Sequence, residues 1–193
     1  MKVTVEKPKI ITLLYKQERS DADYGSLLWA RFYLDTKNYT MSIESDCGNY
    51  SHGWYPTPDS ESFLKLLCRM DSDYLLCKLA ERTVVDGDAT WKALKDMIEC
   101  EGEELEYFVW DELEAACYHQ RSADDVYAAV CEALKCTPLE NEIDAYSIYG
   151  CVEMDYRPNA KKIVQVFLTA IVPVLKEIEV CSIHDNPELL DEK

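Results

Sequence analysis

Glycine is scarce in this chain, with six in 193 residues, and histidine is scarcer, with three. Phosphate-cradling loops need clustered glycines so that backbone can approach the ligand, and neither a P-loop nor a G-x-G-x-x-G stretch is present. The G-x-S-x-G turn that presents a nucleophilic serine is missing as well. His52, His119 and His184 form no H-E-x-x-H pair, and the cysteines include no C-x-x-C, so neither zinc hydrolysis nor a zinc finger is expected. No cofactor is expected on these grounds.

Long apolar runs are also lacking. The longest, Ile163–Leu175, is interrupted by Gln165, Thr169 and Pro173. Thirteen helical residues span about 20 Å, short of the roughly 30 Å hydrocarbon core of a bilayer. A buried helix is expected there, and no membrane association. Met1–Lys9 alternates charged and apolar residues without an apolar centre, so no secretory signal peptide is expected.

Positive charge is the third deficit. Twenty Lys/Arg face 37 Asp/Glu, a net charge of −17. The imbalance is local: residues 1–60 hold seven bases and eight acids, while residues 61–193 hold thirteen and twenty-nine. It peaks over Asp86–Asp125, where thirteen acids meet only Lys92, Lys95 and Arg121. Such a surface repels nucleic-acid phosphates, so no direct nucleic-acid binding is expected; its field favours basic partners.

What the chain does contain is core-forming material. A hydrophobic share of 48% with 11% aromatics excludes a disordered chain. Nine cysteines (Cys47, Cys68, Cys77, Cys100, Cys117, Cys131, Cys136, Cys151 and Cys181) are odd in number, and most lie inside apolar helical patterns. Reduced thiols acting as small hydrophobes fit this better than a disulfide framework, which belongs to smaller, loop-rich secreted chains.

The first third reads as strands. Lys9–Tyr15 and Leu27–Leu34 are apolar and aromatic, and Asn38–Ser45 alternates as a half-buried strand should. Asp35–Asn38 is a turn signal, Cys47–Asn49 a second, and Tyr50–Tyr55 a further strand. Helices follow: one capped by Ser60, a short Tyr74–Ala80, then Ala89–Cys100 ended by Gly102. Glu103–His119 is expected to bury Leu105, Phe108, Val109, Leu113 and Ala116, with Glu103, Glu104, Asp111 and Glu114 opposite. Ser122 caps Ala123–Lys135, and Asn159–Val180 is a last helix that Pro173 should kink. Pro138–Asp144 is the one candidate joint. The expectation is a single α+β domain over 1–193: strand-rich to 58, helical over 59–182, with a frayed acidic tail at 183–193. An N-terminal antiparallel sheet of about three to four strands is covered by about five to six helices.

Local chemistry offers little. Cys117-x-His119 could supply two metal ligands, but a lone helical pair is more often structural, and no metal site is expected. A Cys47–His52 dyad would need a thiol of lowered pKa, yet Glu44 and Asp46 stand beside it. Asp86-Gly87-Asp88 opens like a calcium loop, but Met97 occupies the position of the twelfth-place glutamate. No catalytic residue is assigned.

One combination is distinctive: Ser45-Asp46-Cys47-Gly48-Asn49-Tyr50-Ser51-His52-Gly53-Trp54, then Ser62-Phe63-Leu64, then Asp73-Tyr74-Leu75-Leu76-Cys77-Lys78-Leu79. With Trp110-Asp111-Glu112-Leu113, Asp144–Tyr149 and the Ile163–Leu175 helix, it resembles a group of bacteriophage and prophage accessory proteins over roughly Lys9–Glu177. Here His52 stands where a second aromatic is usual, and cysteines are more numerous. The resemblance implies a phage accessory product acting in the cytoplasm of an infected bacterium, and it transfers no catalytic residues. The motif itself has two readings. In one, Asp46–Asn49 is a hairpin turn with Gly48 or Asn49 at positive φ, and Tyr50 and Trp54 pack in the core. In the other, His52 and the turn form a functional surface.

Three functions remain open. The first is a non-catalytic inhibitor, analogous to anti-CRISPR and DNA-mimic proteins. It would bind a basic host protein, such as a CRISPR effector or another nucleic-acid-binding protein, through Glu99, Glu101, Glu103, Glu104, Asp111 and Glu114, with His52 as a further candidate. The second is a small enzyme with a site scattered over carboxylates, cysteines or His52. The third is a phage assembly factor that self-associates through an apolar patch.

Overall fold

The computed structural model describes residues 9–56, 60–102, 104–118 and 120–184, the last five by backbone alone. The chain divides into two compact units: Met1–Glu81 with Pro158–Lys193, and Arg82–Arg157. Both mix strands and helices, and the fold class is α+β.

The first unit is built on an antiparallel meander in the order β1-β2-β3-β4: β1 Ile10–Lys16, β2 Trp29–Asp35, β3 Thr40–Ser45 and β4 Tyr50–Gly53. Period-two alternation assigns its faces. Ala30, Phe32, Leu34, Met41 and Ile43 are buried on one face, and their sequence neighbours point outward. The β2–β3 turn forms where the sequence signals it. Asp35 Oδ1 accepts from the backbone N–H of Lys37 (3.0 Å) and Asn38 (3.1 Å), and Tyr39 leaves the turn at φ +54°.

Two short helices follow, α1 Phe63–Arg69 and α2 Ser72–Leu79. The cap of α1 is Ser62 rather than Ser60, because the apolar helical spacing begins at Phe63. Ser62 Oγ accepts from the Lys65 N–H at 3.2 Å. Asp71 caps α2 in the same way through Tyr74 N–H at 2.8 Å.

The last helical run is α7 Pro158–Val166, a π-helical segment Phe167–Ile171, and α8 Val172–His184. Proline has no N–H, and its ring collides with the carbonyl four residues earlier in a regular α-helix. Here Pro173 is accommodated by a widened turn just before it, with Val172 N–H bonding Phe167 O. The expected kink is therefore a π segment, which keeps Phe167, Ile171 and Leu175 buried on one side. Phe167 meets Phe32 of the sheet at a ring-centroid distance of 5.7 Å.

The second unit opens and closes with a two-stranded antiparallel ribbon, β5 Arg82–Val85 and β6 Met154–Tyr156. Neither strand was expected, because three- and four-residue strands carry too little alternation to read. Between them lie α3 Gly87–Glu101, α4 Tyr107–Tyr118, α5 Ala123–Ala133 and α6 Ala145–Cys151. Asp86, Ser122 and Asp144 cap α3, α5 and α6, and Gly102 ends α3 at φ +75°. Thr90, fully buried, ties α3 to the ribbon by accepting from Glu153 N–H at 3.0 Å. Leu94, Ile98, Leu113, Val126, Val130 and Ile148 centre the core. Pro138–Asp144 is no loose joint: Leu139 is buried in that core, and Glu140 accepts from the Cys136 N–H at 2.9 Å. The boundaries between the units fall instead at 81/82 and 157/158. The expected acidic tail at 183–193 lies outside the described residues from 185 on.

Candidate functional site

Charge divides between the units more sharply than along the sequence. Arg82–Arg157 contains nineteen Asp/Glu and six Lys/Arg, a balance of −13; the remaining residues, with eighteen and fourteen, carry −4. Most of this acid rides on the α3–α4 hairpin. Glu99 and Glu101 occupy the last turn of α3, Glu104 lies in the connection, and Asp111 and Glu114 sit on α4, all exposed. Glu103 lies outside the described residues. No basic residue offsets the acids in the last turn of α3, where the negative end of the helix dipole disfavours them. Lys95 reaches Glu99 one turn away at 3.8 Å.

The structure adds two aromatics that the sequence reading missed. Phe108 was expected on the buried face, but the apolar stripe of α4 is Val109, Leu113, Ala116 and Cys117, and at 3.6 residues per turn Phe108 lies roughly 125° from the centre of that stripe. Tyr107 is 80% exposed and Phe108 58%. Tyr107, Asp111, Glu114 and Tyr118 follow one another at i, i+4, i+7 and i+11, a single helical stripe with a ring at each end and two carboxylates between. Tyr107 and Phe108 were legible only as residue types; their outward aim follows from the angular position of the stripe that α4 buries.

Tyr118 anchors the far end of this stripe. Its hydroxyl donates to Asp88 Oδ1 at 2.6 Å, and that bond, with burial, pushes the phenol up to about 12. Behind the stripe, Trp110 of α4 meets Trp91 of α3 edge-to-face at 6.0 Å.

His52 belongs to the other unit, on β4. Tyr50, His52 and Trp54 share one side of the strand, half-buried rather than in the core, because β4 is an edge of the sheet. The His52 ring stands edge-on to Trp54 at 4.7 Å, and burial, with the Lys78 charge, holds its pKa below the usual imidazole value. The distinctive motif is taken up structurally. Asp46 accepts from the Leu28 N–H at 2.9 Å, Ser45 Oγ donates to Gly48 O at 2.6 Å, and Gly48 adopts φ +115°. Trp54 Nε1 donates to the Tyr74 hydroxyl at 3.1 Å, and its ring packs on Phe63 at 5.6 Å. Three separate sequence motifs thus meet in one aromatic cluster.

Cys47 and Cys117 are not poised for attack. Burial, then Asp46, raises the Cys47 pKa, and its Sγ donates to Ser26 O at 3.2 Å. Burial pushes the Cys117 thiol up to about 11. His119 lies outside the described residues, and among those described no group of three or more His, Cys, Asp or Glu is placed to hold a metal ion. A cleft of about 380 Å³ is walled by Tyr39, Trp54, Tyr55, Pro56 and Leu66. Its carboxylate, Glu61, is engaged by Arg69 at 2.7 Å. Among the described residues, no helix is long and apolar enough to cross a membrane.

A family model described as a phage family matches residues 2–177, and the chain belongs to that family. Searches of curated proteins and of solved structures return no match.

Proposed function

We propose that this phage protein is a non-catalytic accessory factor that binds and inhibits a basic, nucleic-acid-binding protein of the bacterial host. A CRISPR effector is one member of that class. The reading rests on one observation: the second unit carries −13, and Tyr107 and Phe108 stand exposed within its acidic α3–α4 hairpin. Acid alone keeps a protein soluble, but acid around exposed aromatics supplies both parts of a protein-binding surface. The charges steer encounter with a positive patch, and the rings bury apolar area at its centre. A positive nucleic-acid channel is the host surface that such a field finds most readily, and occupying it excludes the natural phosphates.

The test is capture of host proteins on the full chain at low salt, with elution at high salt and identification by mass spectrometry. A nucleic-acid-binding protein retained by the native chain and lost with Asp111→Lys/Glu114→Lys supports the reading. If high salt releases nothing, or if the captured proteins bind the charge-reversed chain equally well, the reading is wrong.

A further inference from the structure

The two edges of the four-stranded sheet differ. β4 is four residues long, ends in Gly53 and is followed by Pro56, so it offers little to a further strand. β1 is seven residues long and pairs with β2 in unbroken register from Ile10↔Asp35 to Lys16↔Trp29. At its ends Thr36 N–H donates to Lys9 O (3.0 Å) and Gln17 N–H to Leu28 O (2.9 Å). The odd-numbered residues of β1 therefore turn their backbone groups towards β2. Ile10, Thr12, Leu14 and Lys16 turn theirs away from the sheet.

No strand among the described residues pairs with that side. The usual protections of an open edge are missing there: Ile10–Tyr15 has no charge, proline or bulge, and Ile10 and Leu14 are each 50% exposed.

We propose that β1 is a self-association edge, pairing antiparallel with β1 of a second copy of this chain. The strand is complementary to itself. A two-fold axis at Leu13 overlaps all seven residues, setting Thr12 against Leu14 of the second copy and Ile10 against its Lys16. The four outward-facing residues of each strand then fall in the hydrogen-bonded positions of the new ladder. On the inner face Leu13 meets Leu13, and Ile11 meets Tyr15. No lysine faces a lysine. Charge favours this site for a second copy: residues 1–60 balance to −1, whereas the second unit carries −13 and repels its own kind. The resulting isologous contact closes on itself as a dimer with one continuous eight-stranded sheet.

The test is the mass of the purified full chain by sedimentation equilibrium over a wide concentration range, beside two variants. Thr12→Pro removes an N–H that β2 does not use, so it breaks the proposed ladder twice while sparing the fold's own. Leu14→Lys places two like charges on diagonal positions of the outer face. The native chain should approach twice 22.3 kDa. Thr12→Pro should raise the dissociation constant about tenfold to a hundredfold, and Leu14→Lys several-fold. Circular dichroism checks that each variant is folded, and Leu14→Lys decides the matter if Thr12→Pro is not. A native chain that stays a monomer overturns the proposal. So does a dimer that the folded Leu14→Lys chain forms as readily as the native one.

Discussion

The Tyr118 hydroxyl donates to Asp88 across 2.6 Å, and its ring lies so close to Gly87 that a Cβ there would stand 2.7 Å from Cδ1. The same Cβ would lie 3.2 Å from the Cys117 carbonyl, a backbone atom that cannot swing aside. The helix start therefore needs glycine for close approach and not for an unusual φ.

Gly87→Ala should accordingly destabilise the second unit, although alanine is the better helix former by about 1 kcal/mol. Overpacking of this kind costs about 1–3 kcal/mol, so the clash outweighs the propensity. A lowered denaturation midpoint checks it. Gly87→Ala in a Tyr118→Ala background should cost measurably less than in the native chain. Equal costs would mean that the ring is not the obstacle.

The same pair predicts behaviour at alkaline pH. The hydrogen bond to Asp88 favours the neutral phenol, so the folded pKa of Tyr118, about 12, lies above the ordinary value near 10. Stability from this source is fully present below about pH 10 and is lost as pH rises through the folded pKa. Tyr15, Tyr127 and Tyr149 are raised too, so difference absorbance should show several late phenolates in the native chain, and Asp88→Asn should bring one of them back towards the ordinary range.

How much of this was legible in the sequence follows from the range of each signal. The meander was readable because alternation and turn chemistry are local, and Asp35 and Gly48 act within a few residues of themselves. The division into units was not. Arg82 pairs with Tyr156, seventy-four positions away, and nothing in the composition near either residue announces it. The acids were expected on the helices, and Glu99, Glu101, Asp111 and Glu114 lie exposed on α3 and α4. The aromatic part of that surface was missed because Leu105, which lies before α4, was counted with the apolar stripe and drew Phe108, three residues on, into the same face.

His52 supplies an acid-side prediction. Its pKa is depressed by burial and by Lys78, so the folded chain favours the neutral ring. That contribution is present above the ordinary imidazole value of about 6.5 and is lost as pH falls through the folded pKa. Its proton resonances should titrate below the value of a free imidazole. His52→Phe, which keeps a ring beside Trp54, should flatten the fall in stability between about pH 7 and pH 5.

The thiols should react in an order set by exposure. Cys77, Cys100, Cys131 and Cys136 are exposed, whereas Cys117 and Cys151 are buried with raised pKa values. Brief alkylation of the native chain followed by peptide mapping should label the first four and spare the last two. Labelling of Cys117 at the rate of Cys77 would show that the second unit opens on the timescale of the reaction.

The last turn of α3 separates the two accounts of the acidic surface. Glu101 lies at the negative end of the helix dipole with no cation in its turn, an arrangement that costs stability. Glu101→Lys should therefore stabilise the second unit, by about 0.3–1 kcal/mol. If the acids serve only solubility, nothing else changes. If they meet a basic partner, the more stable chain binds that partner more weakly, and the loss shrinks as salt rises. Stability and binding moving in opposite directions would identify Glu101 as a residue kept for contact at a cost to the fold. Improved stability with unchanged capture would confine the interface to α4.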